Sequence, residues 1–243
     1  MWASAVRLPR PPRVPTRARP VSPAAGILLG AHALDYDLHT AGTSPTSVTI
    51  ASGAAGSSLL VCAMGDSSTM AAPTDSKGNT LSALRSSNYF GDQWAPYNMR
   101  VYGKANMVGG SSHTISATKT GGETNESTLI AIEVAGGTVI QDSSIVARES
   151  GGSGVALNSG TVTTTGPALL VSFCSGDGNI IASHVLNAEA GWAVPESIFL
   201  APGTSYIQTA AAVKYVGGPG TYSLQWTPVG DQGAIIFVAA VQA

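Results

Sequence analysis

Charge is scarce in this sequence. Asp, Glu, Lys and Arg make up only 11% of its 243 residues, against roughly 25% in an average soluble domain. Helical periodicity is missing too: nowhere do apolar residues recur at 3.6-residue spacing over three turns, which argues against helices and the parallel α/β folds that need them. Two cysteines, Cys62 and Cys174, are too few for a disulfide framework. Each lies in a short apolar run, where a buried free thiol acting as a small hydrophobe is favoured over a bridge. The longest apolar stretch near the start, residues 27–34, is too short to span a bilayer. The first 25 residues lack the apolar core of a signal peptide, and their prolines forbid the amphipathic helix of a transit peptide. None of the four histidines, His32, His39, His113 and His184, has a partner at zinc-ligand spacing. The pairs Asp35/Asp37 and Asp177/Asn179 offer oxygen ligands but complete no EF-hand loop. Neither a metal nor a cofactor is expected.

What is present is β punctuation. The chain holds 29 glycines, and from residue 26 onward apolar runs of five to nine residues alternate with Gly/Ser/Asn/Asp clusters. Strands are expected at 27–38, 46–51, 58–65, 80–86, 98–105, 112–118, 127–135, 138–147, 160–165, 168–175, 206–216, 221–227 and 234–241. Residues 74–80 read as a turn, since Asp75, Gly78 and Asn79 supply side-chain hydrogen bonds and positive φ. Residues 176–205 read as rich in loops, with a weak strand signal near 197–200. The runs 59–64, 169–174 and 234–241 are apolar without alternation and need cover on both faces.

The second half echoes the first. The stretch from Gly56 to Cys62 recurs from Gly166 to Ser172, Val108-Gly109-Gly110 recurs at Val216-Gly217-Gly218, and Leu129–Val134 answers to Ile235–Ala240. A steady offset of that kind implies a duplicated unit. The expectation is an all-β protein: an antiparallel jelly-roll-like β-sandwich of two similar tandem halves, about 46–136 and 160–243, within one body spanning 26–243.

Ahead of that body lies an arm, residues 1–25. Its prolines exclude helix and central strand and favour polyproline II, with a reach on the order of 70 Å. Arg7, Arg10, Arg13, Arg17 and Arg19 stand in it without a single acid, giving about +5. The remaining seven Lys and Arg face fourteen acids, leaving the body near −7. The five arginines are candidate partner-binding residues for an acidic surface, a neighbouring copy's included.

Catalytic constellations are thin. Gly65-Asp66-Ser67 after an apolar run resembles the nucleophile block of GDSL esterases, but the family's Gly-x-Asn-Asp and Asp-x-x-His blocks are absent. Glu133 is an acid inside an apolar run and reads as an outward-facing strand position. The body has no basic stripe with interleaved aromatics, so nucleic acid is not an expected partner. Residues 88–97 gather Tyr89, Phe90, Trp94 and Tyr97 between two strands, and Trp94 and Tyr97 are candidate partner contacts. Phe90 and Trp94 plugging one end of the sandwich is the competing account.

The turn at 74–80, the segment 99–106 (MRVYGKAN) and Ile132-Glu133-Val134-Ala135-Gly136 together resemble a jelly-roll-like β-sandwich family of bacteriophage virion proteins and bacterial surface proteins. The resemblance covers about residues 45–243; Ala135 departs from the pattern after Glu133. It brings no catalytic residues. It implies a non-enzymatic structural protein of the virion, a capsid decoration or cement protein first. The partners would be the major capsid protein or other virion subunits, in a homo-oligomeric array without a membrane. A carbohydrate-binding module or adhesin is the alternative, and it requires aromatics clustered on a loop face.

Overall fold

The computed structural model describes residues 26–37, 45–65, 69–89, 97–120, 127–149, 156–178, 186–200, 207–228 and 232–243. They form nineteen strands and no helix among the described residues: β1 Leu28–Asp37, β2 Pro45–Ile50, β3 Ser57–Gly65, β4 Thr69–Met70, β5 Thr74–Asp75, β6 Ser82–Tyr89, β7 Tyr97–Met107, β8 His113–Thr120, β9 Ser127–Ala135, β10 Val139–Glu149, β11 Leu157–Asn158, β12 Val162–Thr164, β13 Ala168–Gly178, β14 Leu186–Ala188, β15 Ala193–Leu200, β16 Ile207–Val216, β17 Gly220–Tyr222, β18 Gln225–Pro228 and β19 Gln232–Gln242. All pairings are antiparallel. One five-stranded sheet runs β1-β9-β3-β7-β6 and a second runs β10-β19-β13-β16-β15. Smaller sheets run β2-β8-β4, with β5 also on β8, then β11-β18-β14 and β12-β17.

The unbroken apolar runs follow from how these sheets stack. Side chains alternate across a strand, and both faces of β3 are buried. Leu60, Cys62 and Met64 enter a central core shared with Phe173, Val171 and Phe237 of the second five-stranded sheet. Leu59, Val61 and Ala63 enter a separate core with Val48, Ile50 and Ile115 of the β2-β8-β4 sheet. In β13, Leu169, Val171 and Phe173 face the centre, while Leu170 and Cys174 face Leu157, Leu224 and Trp226. The result is four layers: the two five-stranded sheets face to face, each covered outside by smaller sheets. Phe173 and Phe237, cross-strand partners in β13 and β19, stack with ring centroids 5.9 Å apart. The buried Trp226 indole donates to Ser172 Oγ at 3.2 Å, and Ser172 Oγ donates to the Phe237 carbonyl at 2.7 Å.

The registers give the stack two distinct ends. Asp37, Ser127, Gly65, Asn98 and Asn88 form one row across the first five-stranded sheet, and Leu28, Ala135, Ser57 and Met107 form the opposite row. Thr209 Oγ1 donates to Thr128 Oγ1 at 3.4 Å, so the start of β16 lies beside the start of β9. At the opposite end Gly136 reverses the chain from β9 to β10 with φ of 71°. A Cβ there would run into the Gly26 carbonyl oxygen. Ile27, 2% exposed, belongs to the central core.

Part of the segment expected to be rich in loops, 176–205, is sheet: β14 pairs with β18, and β15 is an edge strand on β16. Pro195 falls where the β15 register shifts between Ala193 and Glu196. An edge irregularity is where a sheet tolerates proline, whose missing N–H breaks the ladder elsewhere.

Candidate functional site

Arg7, Arg10, Arg13, Arg17, Arg19 and Trp94 lie outside the described residues, as do Ser67 and Phe90. Tyr97 opens β7 opposite Tyr89, and its side chain is likewise outside them. The strand ends still fix two attachment points. The chain enters β1 at the Leu28 row, while 90–96 joins β6 to β7 beyond the Asn88–Asn98 pair. A ten-residue strand separates the rows, about 30 Å at the usual rise.

The end that holds Gly26 is built from interlocking polar turns. Asp75 Oδ1 accepts the Lys77 amide at 2.7 Å, and Gly78, with φ of 79°, donates its amide to the Asp75 carbonyl at 3.1 Å. Asn79 acts as a strand partner for Val108: Nδ2 donates to its carbonyl at 2.7 Å, and Oδ1 accepts its amide at 2.9 Å. Behind this turn, His113 Nε2 contacts Asp75 Oδ2 and Nδ1 contacts Ser52 Oγ, both at 2.8 Å. Ser52 Oγ also accepts the Gly110 amide at 3.1 Å. The Gly110 amide, the Ser52 hydroxyl, the imidazole and the carboxylate thus form one hydrogen-bonded chain. Burial raises the Asp75 pKa, but hydrogen bonds from His113, Asn79 and Lys77 together with the His113 charge outweigh it and hold the carboxyl below its ordinary range.

A serine, a histidine and an aspartate in sequence invite comparison with a nucleophile relay. Here the Ser52 hydroxyl is held by a backbone amide, His113 is fully buried, and a Cβ on Gly109 would strike the Gly53 carbonyl oxygen. The trio locks three backbone segments together. Nothing in the sequence around His113 singles it out. Its partners lie 38 and 61 positions away, a juxtaposition that no local pattern announces.

Glu133 is 2% exposed instead of facing outward. Its Oε2 accepts the Ala31 amide at 3.0 Å, inside the register shift of β1, and its Oε1 accepts the Gly53 amide at 2.8 Å. The same shift releases the Leu29 amide to donate to Tyr215 Oη of β16 at 2.7 Å. His32 Nδ1 lies 2.6 Å from Glu196 Oε1 of β15, and Arg85 of β6 donates to the Ser143 carbonyl of β10 at 3.1 Å. Polar contacts thus clamp both margins of the central core.

His39, His184 and Asn179 lie outside the described residues, as does the side chain of Asp177. Asp35 Oδ2 accepts the Ser47 amide, and Asp37 pairs with the buried Lys119. No group of three or more His, Cys, Asp and Glu that could hold a metal occurs among the described residues. Trp192 is 9% exposed, donates to Glu189, and has Lys214 Nζ 5.8 Å from its ring centroid. It offers no open platform for a sugar ring. No protein-family model matches the chain, and no curated protein or solved structure matches it either.

Proposed function

We propose that this chain is a structural protein of a bacteriophage particle, a capsid decoration protein built from two tandem jelly-roll-like halves and held by an extended N-terminal arm. The matching strand orders support the duplication: β1-β9-β3-β7-β6 corresponds strand for strand to β10-β19-β13-β16-β15. In the first half the strands fall into β1-β9-β3-β7 and β2-β8-β4, the alternation between sheets that a jelly roll requires, with β6 attached to the first sheet. The halves meet reciprocally, β1 against β15 and β10 against β6, as two copies do about a two-fold axis.

One observation carries the anchoring role. Ile27 is buried in the central core and the Gly26 carbonyl abuts Gly136, so an arm bearing about +5 starts from a rigid root on a body near −7. Anchoring through such a root transmits load into the largest core of the molecule. The roots of the arm and of the 90–96 segment lie at opposite ends, which suits contacts with two different neighbours. Changing Arg10, Arg13 and Arg17 to alanine should weaken incorporation into particles in a salt-dependent manner. Deleting 1–25 should abolish incorporation while circular dichroism still reports a β body. Undiminished incorporation of either variant would overturn the proposal.

A further inference from the structure

Among the described residues one lysine, Lys119, has no solvent-exposed side-chain surface at all. It is the next-to-last residue of β8, opposite Met70 of β4, and shares the inner face of β8 with Ile115 and Ala117. Its Nζ lies 3.5 Å from Oδ2 of Asp37, the last residue of β1, whose side chain is 14% exposed. That is looser than a charged hydrogen bond, which usually closes to about 2.7–2.9 Å. A nucleophile poised to react stands about 3–3.5 Å from its target, and Asp37 Cγ is one bond from that oxygen. Two buried hydroxyls lie on the neighbouring positions. Ser127 is the register partner of Asp37 and shares its face of the sheet, and Thr46 Oγ1, on β2 beside β8, is 2.9 Å from Ser127 Oγ.

We propose that the Lys119 amine and the Asp37 carboxyl condense into an intramolecular isopeptide bond. Nζ attacks Cγ, an N–C bond forms, and one C–O bond breaks. The departing oxygen takes two protons from the ammonium group and leaves as one water, so the ion pair becomes a neutral amide. No oxidant, reductant or activating group is consumed. Ser127 and Thr46 supply hydroxyls that both donate and accept, the property a proton relay between nitrogen and oxygen needs. In bulk water hydrolysis of an amide is favoured, because water is in excess and both charged products are solvated. Here the two charges have given up much of that solvation, and the amide that replaces them demands far less of it. Two strands hold the groups side by side, an arrangement equivalent to an effective concentration of about 10⁵–10⁸ M. The partial exposure of Asp37 gives the released water a way out.

The bond joins the ends of β1 and β8 across two sheets, between residues 82 positions apart. Both cysteines are free and buried, so no disulfide braces this chain. An amide link constrains the unfolded chain as a disulfide does, and it persists under reducing conditions. None of this depends on the virion reading.

The test is the intact mass of the purified full chain, measured in denaturant. A mass one water below that of the sequence is expected. Trypsin should then fail to cut after Lys119 and return residues 105–148 as a branched peptide joined to the segment that carries Asp37. Lys119→Arg keeps a positive charge beside Asp37 but lacks the amine, and should show its full sequence mass, as should Asp37→Ala. Full sequence mass in the folded parent chain would overturn the inference. A water loss that survives Lys119→Arg, or that maps to a peptide lacking either residue, would overturn it too. The parent measurement decides the matter whether or not the variants fold.

Discussion

His113 Nε2 and Asp75 Oδ2 stand 2.8 Å apart with both side chains fully buried, and the pair ties the 74–80 turn to the first residue of β8. Asp75 is held below its ordinary pKa in the folded state, so its contribution to stability is present above the unfolded value of about 4 and is lost as pH falls through the lower folded value. Asp75→Ala should cost on the order of 3 kcal/mol at pH 7, because it strands a buried imidazole and a backbone amide. Urea midpoints of the parent and of Asp75→Asn should converge as pH drops below about 4. A gap that stays constant down to pH 2 would show that the carboxylate is not the stabilising form.

Across the central core, the Leu29 amide depends on a single side chain from the other five-stranded sheet, Tyr215. Tyr215→Phe keeps the ring and removes the acceptor. The expected loss is about 1 kcal/mol, the usual net worth of a hydrogen bond in a half-buried position, read as a lower urea midpoint with an unchanged m-value. A neutral outcome would mean that water takes over the amide.

Much of this architecture can be read from local chemistry. The apolar runs at 59–64, 169–174 and 234–241 became the strands buried on both faces, because only a sheet covered on two sides accommodates apolar residues without alternation. Asp75, Gly78 and Asn79 formed the turn their side chains specify. Less legible was β15, whose Pro195 and Glu196 look like loop chemistry until the edge position and the register shift are known. Glu133 could not be placed for a related reason. An acid in an apolar strand usually faces water, and its burial depends on amides that a bulge in β1 and the connection before β3 bring to it. The same applies to His113, whose two partners arrive from separate turns. Sequence patterns report what a strand needs on each face, and say little about which distant backbone group will meet it.

Cys62 lies in the central core and Cys174 in the outer core of the second half, both fully buried and unbridged. Burial pushes both thiols far above their ordinary range, and the proximity of Cys62 adds to the rise at Cys174. Thiolate is the reactive form, so neither should react with a thiol reagent in the native protein over hours. Two equivalents should appear in guanidinium without reductant. Rapid native labelling of either thiol would place it at a surface and contradict this packing.

Glu133 and Gly30 are fitted to each other. A Cβ on Gly30 would lie 2.6 Å from Glu133 Cγ, so the glycine leaves room for the carboxylate to reach the Ala31 and Gly53 amides. Glu133→Ala removes the acceptors of the Ala31 and Gly53 amides and opens a cavity, and should destabilise by about 3 kcal/mol. Gly30→Ala should also destabilise, by about 1–3 kcal/mol, because the new methyl overpacks against the Glu133 side chain. The two losses should not add. With Glu133 truncated, the methyl at position 30 enters the space the carboxylate vacated, so Gly30→Ala becomes nearly neutral in that background. A double-mutant cycle by urea denaturation should return a coupling of about 1–3 kcal/mol. Strict additivity would mean that the strand at Gly30 yields to the methyl by moving its backbone, and that Glu133 is seated by its amides alone.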